Sequence, residues 1–188
     1  MYQEGVLIDF IDIVSKNGCL LLNISPKADG TIPQDQQDIL LHIGDWLQVN
    51  GEAIYNTRPW LTFGENRSKA GQNLTVGTNF SSEDIRYTRS KDDKNLYAIL
   101  LGWPEERKVI LESVQIDNEK VYSWRSAYYH IFNPPNPEVT LLGFDKPLEY
   151  EIKNEQIIIT MPDLNEDQRP CKTAYTIKLS DFAISLRN

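Results

Sequence analysis

Residues 17–33, NGCLLLNISPKADGTIP, hold four consecutive apolar side chains, Cys19, Leu20, Leu21 and Leu22, between two stretches of helical periodicity. The run does not alternate polar with apolar. As a strand it would be buried on both faces, the situation of a parallel strand covered by helices. Such a strand needs ladder partners on both sides, because buried backbone N–H and C=O groups left unpaired are strongly unfavourable. Asn23 ends the apolar run, and Ser25, Pro26, Asp29 and Gly30 supply turn chemistry. A strand that opens into a polar loop ahead of a helix is the unit from which α/β enzymes build active-site rims.

The flanking patterns are helical. Val6, Leu7, Phe10, Ile11 and Val14 share one face, and Asn17 with Gly18 gives a C-terminal stop. Downstream, Thr31 and Gln34 stand at capping-box spacing and Pro33 suits a first turn, so a second helix is expected to start near Pro33. Ile39, Leu40, Ile43, Trp46 and Leu47 continue it, and Asn50 with Gly51 closes it.

Residues 52–63 mix aromatics with Asn56, Arg58 and Pro59 and read as an ordered but irregular segment. From 64 to 83 the chain is rich in Gly, Ser, Asn and Thr, which predicts a connection, with a short extended piece at 74–76. Beyond it the pattern turns strand-like at 85–88, 96–101, 109–111, 121–124, 139–142, 148–152, 157–161 and 175–179. Short strands at this spacing, with turn signals at 91–95 and 117–119, argue an antiparallel sandwich. The expected organisation is therefore residues 1–63 as an α/β portion, 64–83 as a linker and 84–188 as an all-β domain.

The first portion cannot complete a sheet by itself. It offers two helices and one strand of the buried type, while the later strands look antiparallel and half-exposed. The expectation is that residues 1–63 belong to a larger α/β domain whose other strands lie elsewhere. The formal charge of −8 opposes binding to phosphate backbones or anionic lipid, and no basic patch offsets it. No run is apolar and long enough to span a bilayer, and no export signal is read at the N-terminus. Cys19 and Cys171 read as reduced thiols, Cys19 inside the buried run, rather than as a disulfide framework.

Residues 7–60, LIDFIDIVSKNGCLLLNISPKADGTIPQDQQDILLHIGDWLQVNGEAIYNTRPW, closely resemble the end of the catalytic barrel in the retaining α-L-fucosidase family of glycoside hydrolases. In that family a helix ends in SKNG or similar and the last barrel strand reads roughly NLLLN. A loop with GP and DG follows, and a helix then leads to NGEAIY and an RPW-like ending. Here Ser25 and Pro26 stand where Gly-Pro is usual, and Cys19 where Asn is frequent. DIRYT at 84–88, LYAILLGWP at 96–104, VTLLG at 139–143, PLEYE at 147–151 and AYTIKL at 174–179 resemble the family's C-terminal β-sandwich. The resemblance implies a fold class of α/β remnant, the last helix-strand-helix of a (β/α) barrel, followed by an all-β antiparallel sandwich. It implies release of terminal α-L-fucose from fucosylated glycans through a covalent glycosyl-enzyme intermediate, with no metal or other cofactor. The missing barrel portion or other subunits are the implied partners, with no nucleic acid and no membrane. The compartment is left undetermined.

Retaining glycoside hydrolysis needs two carboxyl groups about 5 Å apart across the scissile bond. In the resembled family both belong to upstream barrel segments, so this chain alone is expected to be inactive. The carboxylates present read as solvating: Asp35 and Asp38 on a helix face, Glu105 and Glu106 in a turn, Asp92 and Asp93 in a hairpin loop. Glu52 reads as an anchor for the segment that follows it. His42 and His130 lack companion ligands at zinc spacing. What these residues can give an active site is part of its rim. Asn23, Ile24 and Ser25 stand where a barrel strand delivers side chains to the catalytic face, with Asn23 either bordering the sugar or only pinning the turn. Trp60 either shapes the outer rim or packs in a core. The aromatics of residues 120–137, among them Tyr122, Trp124, Tyr128, Tyr129, His130 and Phe132, pack on the sandwich or form a sugar-stacking or subunit-contact surface. A non-catalytic carbohydrate-binding or interaction module is the alternative reading of the sandwich.

Overall fold

A computed structural model describes residues 2–65, 80–117, 120–122, 131–132, 138–154, 156–180 and 183–184. Helix α1 is Tyr2–Ser15 and helix α2 is Gln34–Asn50, followed directly by a 3-10 turn, Gly51–Ala53; another 3-10 turn is Glu166–Gln168. The strands are β1 Thr57–Glu65, β2 Ile85–Ser90, β3 Leu96–Leu100, β4 Lys108–Asp117, β5 Lys120–Tyr122, β6 Ile131–Phe132, β7 Glu138–Leu141, β8 Glu149–Lys153, β9 Gln156–Thr160, β10 Tyr175–Ser180 and β11 Ala183–Ile184. They form two sheets, ordered β1-β2-β3-β10-β7 and β11-β6-β5-β4-β9-β8, and every named pairing is antiparallel.

Alternation along the central strands builds three layers. Leu96, Ala98 and Leu100 of β3 face Val109, Leu111, Ile157 and Ile159 of the second sheet. Tyr97 and Ile99 of the same strand point the other way, onto Leu7 and Ile11 of α1 and Trp46 of α2. The first sheet is thus covered on both faces, by the second sheet and by the helices. This corrects the expectation of half-exposed strands. On β2, Ile85 and Tyr87 enter the inter-sheet core, while Arg86 and Thr88 face the helices and are buried all the same. Thr88 Oγ1 donates to the Ala53 carbonyl (2.7 Å). Arg86 Nε donates to Asp12 Oδ1 of α1 (2.6 Å).

The segment expected to be irregular, 52–63, is mostly a strand. β1 crosses the expected boundary at residue 63 and pairs with β2. Pro59 suggested irregularity, yet β1 is the edge of its sheet, where a missing N–H is tolerated. A Cβ on Gly64 would lie 2.2 Å from the Ile85 carbonyl oxygen, so the strand closes on β2 only with glycine there. Glu65 ends β1 buried between the sheets. It accepts from the Tyr87 hydroxyl (2.5 Å) and from the backbone N–H groups of Ser113 (2.7 Å) and Glu112 (3.2 Å). Those amides lie where the register of β4 shifts against β9, so the carboxylate supplies acceptors that the interrupted ladder does not.

The extended piece expected at 74–76 lies outside the described residues, as do Trp124, Tyr128, Tyr129 and His130 of the aromatic stretch; of Tyr122 and Phe132 only the strand backbone is described. No helix among the described residues is long and apolar enough to cross a membrane.

Candidate functional site

The site is assembled by the two helix ends that flank residues 19–25. α1 stops in a Schellman turn: the Gly18 N–H donates to the Ile13 carbonyl (2.8 Å) and the Asn17 N–H to the Val14 carbonyl (3.0 Å), with Asn17 at φ 66°. Asn17 therefore takes the left-handed position. Gly18 is needed next to it, since a Cβ there would meet Ile13 Cγ2 at 2.7 Å. The chain then runs through 19–24 outside any sheet, and its backbone has no hydrogen-bond partner among the described residues. Leu21 is 87% exposed, and Leu22 and Ile24 are also exposed. Cys19, expected inside a buried run, is exposed as well, because the run has no flanking strand to cover it.

Backbone pairing resumes at Ser25. Its N–H donates to Gln36 Oε1 on the first turn of α2 (2.7 Å). The Lys27 N–H donates to the Thr31 carbonyl (2.8 Å), and Gly30 turns the loop at φ 83°. Asp29 accepts the backbone N–H (3.0 Å) and the hydroxyl (2.7 Å) of Thr31, and these two bonds hold its carboxyl below the ordinary aspartate value. The expected capping box is not formed. Thr31 is turned to Asp29, the Gln34 amide donates to Asp38, and Pro33 itself is the N-cap, with no side-chain cap bond.

Asn23 and Ile24 line a groove of about 200 Å³ with Val6, Leu22, Asp35, Gln36, Ile39 and Leu40. This is below the roughly 300–1,000 Å³ typical of complete small-molecule sites. Ser25 joins it through Gln36. Trp60 is placed elsewhere: it is 4% exposed in the inter-sheet core, against Tyr87 with ring centroids 4.9 Å apart. The core role is the one its surroundings describe. Gln36, which fixes the loop, was not singled out from sequence, because nothing in helical periodicity marks one polar residue of a first turn as a partner for a loop amide.

Elsewhere, Glu52 accepts from the Tyr97 hydroxyl (2.9 Å) and Lys178 Nζ (2.5 Å) and so anchors the 3-10 turn to β3 and β10. His42 bonds Thr173 Oγ1 (3.0 Å) on the flank of α2. A cleft of about 770 Å³ between the helices and residues 166–172 contains Cys171. Burial pushes the Cys171 thiol up to about 11, and its Sγ donates to the Ala174 carbonyl (2.9 Å). At pH 8 only about one part in a thousand would be thiolate. A disulfide reagent is expected to titrate Cys19 rapidly and Cys171 only after unfolding or above about pH 10. Two equally fast thiols at pH 8 would contradict this.

A family model described as the alpha-L-fucosidase C-terminal domain matches residues 78–180, and one described as alpha-L-fucosidase matches residues 1–52. The chain is 34% identical over 179 residues to plasma alpha-L-fucosidase of Rattus norvegicus, covering 95% of this chain and 32% of that protein. Against plasma alpha-L-fucosidase of Homo sapiens the identity is 32% over 179 residues, with the same 95% and 32% coverage. Among solved structures it superposes on the alpha-fucosidase of Thermotoga maritima, in complex with a mechanism-based inhibitor, with a TM-score of 0.66 at 25% identity, covering 95% of this chain and 34% of that one. The chain spans about a third of the length of the curated relatives it matches.

Proposed function

Since the chain belongs to the alpha-L-fucosidase family, we propose that it works as the closing part of an enzyme hydrolysing terminal α-L-fucosyl linkages with retention, residues 19–25 being the last barrel strand and its rim. The observation that carries this reading is segment 19–24, outside any sheet, with Leu21 and Leu22 exposed and its backbone without a hydrogen-bond partner among the described residues, between helices α1 and α2. A strand in this state is complete only between two neighbouring strands. The nucleophile and acid/base are assigned to barrel segments outside these residues, and Asn23, Ile24 and Ser25 to the border of the fucose pocket. The boundary between barrel end and sandwich is placed in the turn at 54–56, ahead of β1.

The test is to supply the other barrel segments of a relative, fused upstream or co-expressed, and to assay a chromogenic α-L-fucoside beside the 188-residue chain. Activity is expected only in the completed protein, together with protection of Cys19 from thiol reagents. A completed, folded barrel in which Cys19 stays reactive would overturn the strand assignment. In that active protein, Asn23→Ala is expected to lower kcat/KM by at least about fivefold, the loss of one hydrogen bond to substrate, with little change in Tm. Unchanged kinetics would leave Asn23 a turn residue.

A further inference from the structure

The sandwich carries a second cleft that shares no residue with the groove at Asn23. It lies between the turn after β3 and the chain leading into β10, encloses about 420 Å³, and is lined by Trp103, Glu105, Arg107, Asp163, Leu164 and Arg169. That volume is within the range of complete small-molecule sites.

Hydrogen bonds and ring contacts join the residues of the walls. Arg107 Nε donates to the Met161 carbonyl (3.1 Å), and the Met161 N–H donates back to the Arg107 carbonyl (2.8 Å). Arg107 Nη1 pairs with Asp163 Oδ2 (3.2 Å) at the open side, where Asp163 is 85% exposed. Asn165 and Gln168 cap each other around the 3-10 turn Glu166–Gln168 that leads to Arg169. The Arg169 guanidinium carbon sits 4.9 Å from the Trp103 ring centroid, and Trp103 meets Tyr175 edge-on with centroids 4.9 Å apart. Arg169 Nε is buried without a hydrogen-bond partner among the described residues, a state that calls for a bound group or water to explain it.

We infer that this cleft binds a neutral saccharide. Two guanidinium groups and two carboxylates line it, so their charges cancel and a charged ligand gains no net field. The same four groups are planar arrays of donors and acceptors beside an indole, which suits a ring that presents adjacent hydroxyls around an apolar C–H face. The inference concerns the sandwich alone, so its failure would leave the barrel assignment as it stands.

The experiment titrates the ¹⁵N-labelled 188-residue chain with methyl α-L-fucopyranoside, with lactose and with sodium acetate. At least one sugar is expected to give saturable shifts of the Trp103 indole N–H and of amides in 105–107 and 163–169, with half-saturation at roughly 1–10 mM. Trp103→Leu and Asp163→Ala are each expected to weaken it by about fivefold or more. Asp163 is exposed enough that its replacement tests the site even if Trp103→Leu disturbs the fold. No saturable shift with either sugar, shifts confined to residues 22–24, saturation by acetate alone, or unchanged affinity in Asp163→Ala would each overturn the inference.

Discussion

Asp12→Ala is expected to destabilise the chain by about 3 kcal/mol, the cost typical of removing one member of a buried ion pair. Arg86 is 1% exposed on the helix-facing side of β2, and its Nε donates to Asp12 Oδ1 at 2.6 Å. The guanidinium also donates from Nη1 to the Ile85 carbonyl (2.9 Å), with its carbon 4.9 Å from the Phe80 ring centroid. These contacts hold the guanidinium in place beside Asp12. Lys16 shares the other Asp12 oxygen at 2.6 Å, but its side chain is 31% exposed and solvent screens that contact. In a chain of this size the loss corresponds to a fall in Tm of roughly 6–12 °C. The double variant Asp12→Ala/Arg86→Met removes both charges and is expected to recover most of the stability, since an apolar pair of similar volume substitutes well for a buried ion pair. Urea denaturation of both variants checks the cycle. A single-variant loss under about 0.5 kcal/mol would show that Arg86 finds its compensation elsewhere.

Trp46→Ala is expected to cost about 4 kcal/mol, the range for deleting a large buried aromatic side chain. Trp46 is 1% exposed at the centre of the helix-to-sheet core, among Leu7, Ile11, Ala53, Tyr97, Ile99 and Ala174. Its Nε1 donates to the Ala174 carbonyl across 128 residues of sequence (2.8 Å), so the indole both fills the layer and fastens α2 to the chain entering β10. Trp46→Phe keeps most of the volume and loses the hydrogen bond, and is expected to cost about 1–2 kcal/mol. The two variants separate packing from polar attachment. Far-ultraviolet circular dichroism during urea unfolding is the readout: in Trp46→Ala the helical signal should be lost before the β signal. A single coincident transition with unchanged midpoint would place the helices' attachment elsewhere. Because α1 and α2 hold the two ends of 19–25, either destabilisation also loosens the proposed rim.

Much of the fold is legible where the signal is local. Helix α1 with its Asn17–Gly18 stop, helix α2, the strands at 85–90, 96–100, 138–141, 149–153, 156–160 and 175–180, and the first part of the strand at 108–117 follow from periodicity and nearby turn residues. What was misread depends on position in a sheet. Pro59 argues against a central strand but not against an edge, and sequence does not say which strand will be the edge. The Thr31–Gln34 spacing permits a capping box, but α2 is capped at Pro33, two residues later, so Thr31 is not at the N-cap and its hydroxyl donates to Asp29 instead. Trp60 can equally line a rim or fill a core until β1 is seen to place it against Tyr87.

Sequence alone determined the two helices, the antiparallel character of the second part and the family, since each rests on patterns read along the chain. Tertiary structure alone decided the fate of two similar apolar runs. LYAIL at 96–100 is buried on both faces because β2 and β10 flank it and two layers cover it, whereas CLLL at 19–22 lies largely exposed outside any sheet. It also decided that Arg86 reaches Asp12 across 74 residues and that Trp103, Arg107, Asp163 and Arg169 wall one cleft. The physical reason is the same in each case. Burial and charge pairing belong to neighbours in space, and the neighbours are chosen by sheet order, which no local stretch of sequence contains.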